Sequence, residues 1–159
     1  DSEHVHLAIQ AGTAALVRTD GAVIYSRLVE GRFPRYQDVF PTNAQAKIPL
    51  EVGRLRLAVE QASIVTSDDS RGVDFQFGNG ALKLSSRAAD VGSSQVKLPV
   101  DYDGKEVEIT FDPRYLLDAL KTLDDSTGLT AELIDAKTAA VFKTSDQYTY
   151  VVMPLTRDR

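Results

Sequence analysis

The chain of 159 residues contains no cysteine and no tryptophan, and it has only one methionine and two histidines. The absence of cysteine excludes disulfides, thiolate metal sites and cysteine nucleophiles, and it favours a reducing, intracellular setting. No apolar run approaches the ~18 residues that a membrane-spanning helix needs. The first residues also lack the basic and then apolar pattern of a secretion signal. These absences predict a protein with no membrane partner.

An excess of basic residues is also missing, since the formal net charge is −5 and the isoelectric point is about 5.0. This argues against nonspecific binding of nucleic acid over the whole surface, although an acidic protein can still hold a few Lys and Arg against DNA at one face. The hydrophobic content of 43% is typical of a packed globular chain. Because the sequence starts at Asp1 in a strand-like alternation without an initiator Met, we expect a fragment or a processed chain.

Most of the patterns in the sequence are typical of β-strands. Asp20-Gly21, Asn79-Gly80 and Asp103-Gly104 predict hairpin turns between runs of alternating apolar residues. The predicted strands lie around residues 5–9, 23–28, 75–77, 82–84, 96–100 and 107–111, and near 129–135, 139–143 and 148–155. The chain therefore reads as a strand-rich meander.

Two helices interrupt this meander. Apolar residues at spacings of three and four predict one helix over about Pro49–Ala62 and another over about Pro113–Leu123, which Asp112 would cap. The order of elements predicts an α+β fold of antiparallel sheets with two helices packed on one face. The segment GRFPRYQDVFP at Gly31–Pro41 predicts a stiff connector, so we expect residues 1–35 to be the last strands of a partial domain and residues 36–159 to be a complete one.

No catalytic constellation is visible. His4 and His6 lie two residues apart with Glu3 nearby, but an incidental pair explains them better than a metal site. Two groups of aspartates could suggest paired carboxylates or a cation site: Asp68, Asp69 and Asp74, and separately Asp124 and Asp125. They fall in predicted turns, where aspartate is favoured for backbone hydrogen bonding, so solvated turn residues explain them better. We therefore predict no metal, no cofactor and no enzymatic activity, and a binding or scaffold role by elimination.

The segment Tyr150–Leu155, with the sequence YVVMPL, is unusually apolar for its place in the chain. Neighbouring side chains of a strand point to opposite faces. Val151, Met153 and Leu155 therefore cannot all share a face with Val152. If one face meets the core, the other presents apolar side chains outward, as the wall of a peptide groove would; a segment that only fills the core is equally compatible with the residues.

Three strings together resemble the bacterial DNA polymerase III beta subunit family, the replicative sliding clamps: GRFPRYQDVFP at Gly31–Pro41, FDPRYLLDALKTL at Phe111–Leu123 and YVVMPL at Tyr150–Leu155. SRGVDFQF at Ser70–Phe77 fits the same pattern. The strings occur in the order of the family. The resemblance implies the end of the second clamp domain over residues 1–35 and the third clamp domain over residues 36–159.

The resemblance implies a processivity factor that catalyses nothing. In this family two subunits close head-to-tail into a homodimeric ring around duplex DNA, which is held without sequence specificity. Partners, among them the catalytic subunit of DNA polymerase III and the clamp loader, insert a short peptide into an apolar pocket between the second and third domains. The expected location is cytoplasmic, associated with the nucleoid during replication.

Family positions can be carried onto this chain residue by residue. The implied peptide-binding pocket consists of Pro34, Asp38, Val39, Ser70, Asp112, Tyr115, Lys137, Ala139, Val151, Val152, Met153, Pro154 and Leu155. The implied dimer interface includes Ile64 and Val65. The DNA-proximal residues are expected to be Arg32, Arg56, Arg71 and Lys121. Asp38, Ser70 and Asp112 stand where family members often carry a basic residue, a large aromatic and an asparagine, so the peptide preference is expected to differ.

Two other functions stay open on the residues alone. One is an enzyme whose active site lies partly in missing sequence. The other is a small β-rich ligand-binding module. Binding of a clamp-type peptide containing Gln and Leu would separate the clamp hypothesis from both.

Overall fold

The structure, a computed structural model, describes residues 4–33, 35, 37, 40–41, 43–67, 70–146 and 148–156. It divides into two compact units, residues 1–35 and residues 36–159. We name them the N-terminal unit and the C-terminal unit. No helix in the described part of the chain is long and apolar enough to cross a membrane.

The N-terminal unit is a three-stranded antiparallel meander. Its strands are β1 (His6–Gln10), β2 (Ala14–Arg18) and β3 (Val23–Arg27), in the order β1-β2-β3. The predicted strands at both ends of the meander are confirmed. Ala14 is the only buried side chain among the described residues of this unit, so the sheet has no core of its own. Its assignment to a second clamp domain stays a prediction.

The C-terminal unit contains one pattern twice: a strand, a helix and three further strands. The first copy consists of β4 (Ala46–Glu51), α1 (Val52–Ala62), β5 (Val73–Gly78), β6 (Ala81–Ala88) and β7 (Gly92–Pro99), with a 3₁₀ turn at Ser63–Val65 after the helix. The second copy consists of β8 (Val107–Phe111), α2 (Pro113–Leu120), β9 (Gly128–Leu133), β10 (Ala140–Thr144) and β11 (Thr149–Val152). The repetition lies in the topology, and we find no matching repeat of residues.

These strands form two four-stranded antiparallel sheets, with the orders β7-β6-β5-β8 and β11-β10-β9-β4. Each copy of the pattern thus gives its first strand to the sheet of the other copy. This exchange joins the two halves through main-chain hydrogen bonds. The predicted fold class, α+β with antiparallel sheets and two helices, is confirmed.

Buried residues of both sheets and both helices form one core. The ring of Phe111 in β8 packs edge-on against Phe75 in β5, with centroids 5.3 Å apart, and against Phe142 in β10 at 6.2 Å. Because β10 belongs to the other sheet, these rings connect the two sheets. The predicted apolar face of α1 is buried here, as Leu55, Ala58, Val59 and Ala62.

The predicted start of α1 at Pro49 is wrong, because Pro49 lies in β4. β4 buries Ala46, Ile48 and Leu50 and exposes the residues between them, so its period is two and not 3.6. β4 also lies at the edge of its sheet, where strands tolerate proline. The helix begins three residues later, at Val52.

α2 begins at Pro113, as predicted, but it ends at Leu120 and not at Leu123. The amides of Thr122 and Leu123 bond to the carbonyls of Ala119 and Leu120, each at 3.2 Å. Bonds to a carbonyl three residues back tighten the chain and close the helix.

Asp103-Gly104 was predicted to form a hairpin turn, and this is wrong. The strands on either side, β7 and β8, lie at opposite edges of one sheet. Gly104 is explained by packing instead, because a Cβ there would lie 2.5 Å from the ring of Tyr102. Asn79-Gly80 does join the neighbouring strands β5 and β6, with φ angles of 52° and 69° that suit a hairpin turn.

Candidate functional site

The last strand, β11, presents different side chains to its two sides. It pairs with β10 at the edge of the sheet, with Val152 opposite Ala140 and Val151 opposite Val141. Val152 is 4% exposed and belongs to the core, whereas Met153, the next residue, is 64% exposed. One side of this segment therefore packs inside the protein while an apolar side chain reaches solvent directly beside it.

After β11 the chain crosses to the other sheet. The amide of Leu155 donates a hydrogen bond of 2.8 Å to the carbonyl of Thr110 in β8. Pro154 and Leu155 are half-buried along this crossing. The segment that carries the predicted apolar pocket residues is thus held on both sides of Met153, by the pairing of β11 and by this bond.

The start of α2 is fixed by Asp112, which caps the helix. One carboxylate oxygen accepts from the amide of Arg114 at 3.0 Å and from its Nε at 3.1 Å, and the other accepts from Nη2 at 2.7 Å. Asp112 is only 3% exposed. The hydrogen bonds from the Arg114 side chain hold the pKa of this carboxyl below its ordinary value. Its oxygens are therefore already engaged within the chain.

Tyr115, the residue after Arg114 in α2, is 57% exposed. Its carbonyl accepts a hydrogen bond of 3.0 Å from the hydroxyl of Tyr150 in β11. Burial raises the pKa of the Tyr150 hydroxyl above its ordinary value. The bond links the first turn of α2 to the last strand. Tyr150 was not predicted as a site residue, and its pairing with a main-chain carbonyl 35 residues away leaves no signal in the sequence.

The remaining predicted pocket residues with described positions come from two loops. Ser70 is half-buried, and its amide bonds to the carbonyl of Ser67 at 3.1 Å. Lys137 is exposed in the turn before β10, and Ala139 is buried beside it. Asp135 shapes this turn by accepting from the amides of Lys137 and Thr138 at 2.8 and 2.7 Å. The bond from the Lys137 amide holds the pKa of Asp135 below its ordinary value.

Two cavities open beside these residues. A cavity of about 460 Å³ is lined by Asp74, Glu108, Ile109, Thr110, Ala136, Lys137, Leu155 and Thr156. A second, of about 290 Å³, is lined by Thr66, Ser67, Arg71, Asp112, Pro113 and Arg114. The structure thus places Lys137 and Leu155 on one cavity and Asp112 on another. Sequence reasoning did not assign Asp74 or Glu108 to a site.

The structure brings together only part of the predicted pocket. β11, the segment after it and the start of α2 are joined by the hydrogen bonds described above. Pro34, Asp38 and Val39 lie outside the described residues. The complete pocket therefore stays a prediction.

The residues predicted for the dimer interface lie in the 3₁₀ turn after α1. Ile64 is 75% exposed and Val65 is half-buried. Leu57, seven residues before Ile64 on the exposed side of α1, is 56% exposed. Leu57 and Ile64 are thus two exposed apolar side chains in α1 and the turn after it, and the sequence reasoning assigned only Ile64.

The four predicted DNA-proximal residues differ in their environment. Arg56 in α1 is paired, since its Nη2 lies 2.8 Å from both carboxylate oxygens of Asp125. Arg71 and Lys121 are exposed in the C-terminal unit, and Arg32 is exposed in the N-terminal unit. The charge of Arg56 is therefore neutralised in part by a neighbouring carboxylate, and the charge of Arg71 also contributes to the lowered pKa of Asp112.

His4 and His6 are both exposed, and Glu3 lies outside the described residues. Within the part of the chain that the structure describes, no group of three or more His, Asp or Glu side chains could hold a metal ion.

Residues 37–156 match the family described as DNA polymerase III beta subunit, C-terminal domain. The chain belongs to this family. Among its relatives, the beta sliding clamp of Proteus mirabilis is 36% identical over 118 residues, which are 74% of this chain and 32% of the relative. The beta sliding clamp of Chlamydia pneumoniae is 29% identical over 139 residues, which are 87% of this chain and 38% of the relative.

A solved structure of this family has a similar fold. The crystal structure of a DnaN sliding clamp, DNA polymerase III subunit beta, from Bartonella birtlesii bound to griselimycin is similar with a TM-score of 0.86 and 30% identity. The match covers 96% of this chain and 41% of that chain. The chain thus spans less than half the length of the proteins it matches. The predicted family is confirmed.

Proposed function

We propose that this chain is the C-terminal part of a bacterial sliding clamp, a processivity factor that encircles duplex DNA and tethers the replicative polymerase. The observation that carries the proposal is the match of residues 37–156 to the beta subunit family, whose relatives are named beta sliding clamps. The role is one of binding and needs no catalytic group. It places the protein in the bacterial cytoplasm, at the nucleoid during replication.

Partner proteins, in this proposal, bind through a short peptide next to β11. The exposed side chains of Met153 and Tyr115 supply apolar surface, and Val152, buried in the core, anchors the strand that precedes Met153. Burying two aliphatic anchors of a peptide would contribute about 3–6 kcal/mol before the cost of ordering the peptide. This range suits micromolar contacts, which allow the polymerase and the clamp loader to exchange on one site.

The ring and its contact with DNA are proposed from the same family. Ile64, with Val65, would be covered by a neighbouring subunit, which explains an isoleucine that is 75% exposed here. Arg32, Arg71 and Lys121 would approach the phosphates without reading the bases, as sliding requires. Arg56 would do so while it remains tied to Asp125.

A peptide titration tests the pocket. A fluorescent peptide with one Gln, two Leu and one Phe is titrated with the chain and with the Met153→Asp variant. Loss of Met burial, worth about 1.5–3 kcal/mol, predicts binding at least about tenfold weaker. Val91→Asp is the matched control, because Val91 is 63% exposed in the turn between β6 and β7. Unchanged affinity in Met153→Asp, or equal losses in both variants, would reject the site.

A further inference from the structure

The 460 Å³ cavity carries charges that the proposed contacts with apolar peptide anchors do not use. Asp74 and Glu108 line it from β5 and β8. Their neighbours Phe75 and Ile109 are buried at 0% and 1% exposure. Because side chains alternate along a strand, both carboxylates lie on the outer face of the sheet. Lys137 lines the same cavity, so its charged lining residues sum to one net negative charge.

The walls of this cavity are held in place. The hydroxyl of Thr110 donates to the Asp74 carboxylate at 2.6 Å, and the two residues are opposite each other across β5 and β8. The carbonyl of the same Thr110 accepts from the Leu155 amide at 2.8 Å. The cavity is therefore fixed to the segment after β11 through a single residue of β8.

The cavity is also continuous with the proposed peptide pocket. Leu155 and Lys137, which the resemblance implies for the peptide pocket, both line this cavity. A peptide that covers Met153 and continues past Leu155 would therefore reach the cavity that Glu108 lines. An arginine or lysine at that position can lay its apolar stem along half-buried Leu155 and extend its charged end to the carboxylates.

We propose that this cavity binds a basic side chain of the partner peptide, one that flanks the apolar anchors, and that Glu108 selects it. This inference rests on the proposed function of the neighbouring pocket. Lys137 opposes the selection but does not reverse it, because two carboxylates face one ammonium group. An exposed ion pair of this kind corresponds to about two- to fivefold in affinity.

The test compares three peptides that share the apolar core and carry two Arg, two Gln or two Glu beyond one end, with each end tried in turn. On the unmodified chain, the Arg peptide binds about two- to fivefold tighter than the Gln peptide at low salt, and the gap narrows as salt is raised. Glu108→Gln removes the gap and leaves the Gln peptide unchanged. Glu108→Lys shifts the preference to the Glu peptide. Asp90→Asn, which removes one negative charge in the turn between β6 and β7, keeps the gap.

The outcomes separate this inference from the function on which it rests. If the Gln peptide binds and responds to Met153→Asp, but Arg brings no gain at either end, the cavity has no such role and the pocket stands. If no peptide binds, the pocket itself is rejected. A preference that emerges only after residues 157–159 are removed would assign the cavity to this chain's own residues and overturn the proposal. Thermal unfolding of each variant shows that it is folded.

Discussion

Replacing Gly53 by alanine tests how α1 is held at its first turn. α1 has no side-chain cap. Instead, the amides of Val52 and Gly53 donate to the carbonyls of Thr127 and Asp125, at 3.1 and 2.9 Å. The loop before β9 therefore caps a helix that begins more than seventy positions earlier in the chain. Asp125 reaches the helix a second time through its ion pair with Arg56.

The geometry leaves no room for a methyl group at this position. A Cβ on Gly53 would lie 2.8 Å from the Cβ of Asp125 and 3.1 Å from its carbonyl oxygen. The loop must move away, which lengthens the two capping bonds. Overpacking of this kind costs about 1–3 kcal/mol, and each weakened hydrogen bond costs up to about 1 kcal/mol more. Alanine returns about 1 kcal/mol through its higher helix propensity.

The expected net effect of Gly53→Ala is a loss of about 1–3 kcal/mol in the free energy of unfolding, measured by urea denaturation followed by circular dichroism. Gly128→Ala is the matched control, since nothing lies within 4 Å of a Cβ there, and it should stay within about 0.5 kcal/mol of the parent. If Gly53→Ala is as stable as the parent or more stable, the close approach of the loop does not constrain the helix and the reasoning fails.

Two further predictions concern buried polar groups. Ser86 is 3% exposed, and its hydroxyl donates to the carbonyl of Ala62, the last residue of α1. Ser86→Ala should therefore lower the free energy of unfolding in urea by about 1–2 kcal/mol. Ser85→Ala, at a half-buried position, is the control, and equal stability of the two variants would contradict the prediction. Because the folded pKa of Asp112 is lowered, mainly by Arg114, its ionised form stabilises the fold above about pH 4, and this contribution is lost as pH falls through the folded pKa. Asp112→Asn should therefore be less stable than the parent at pH 7 by about 1 kcal/mol and approach it below about pH 4; a difference that does not change with pH would refute the ionic role.

Local signals in the sequence were sufficient where the chain supplies its own partner. Asp112 followed by Pro113 predicted the first residue of α2, because a cap and its helix are adjacent in sequence. Asn79-Gly80 predicted a hairpin correctly, because a turn and the two strands that it joins are also adjacent in sequence. The start of α1 was placed wrongly at Pro49, although the alternation of Ala46, Ile48 and Leu50 is typical of a strand. The capping groups of α1 come from Asp125 and Thr127, so no cap near Val52 marked its true start.

In the candidate site, too, local features could be predicted from the sequence, whereas contacts between distant residues could not. The alternation around Val152 and Met153 indicated that the two side chains point to opposite faces, since strand periodicity is local, but it left open whether the second face is buried or exposed. The engagement of Arg56 by Asp125 joins residues 69 positions apart, and the meeting of Glu108 with Leu155 at one cavity depends on how the two sheets adjoin. Such contacts depend on the topology of the fold. That topology includes the exchange of the first strands between the two sheets, which the order of strands and helices alone does not indicate.

The edge position of β11 also bears on how the proposed peptide would be bound. β7 and β11 hold matching places in the two copies of the pattern, and each forms an edge of its sheet. β7 has eight residues, whereas β11 has four and is followed closely by Pro154, which has no amide hydrogen to offer. The next amide, that of Leu155, is already bonded to Thr110. A short edge closed by proline is poor at adding a further strand. A peptide at this place is therefore expected to be held by side chains around Met153, so substitutions in its anchor residues should weaken binding far more than methylation of its backbone amides.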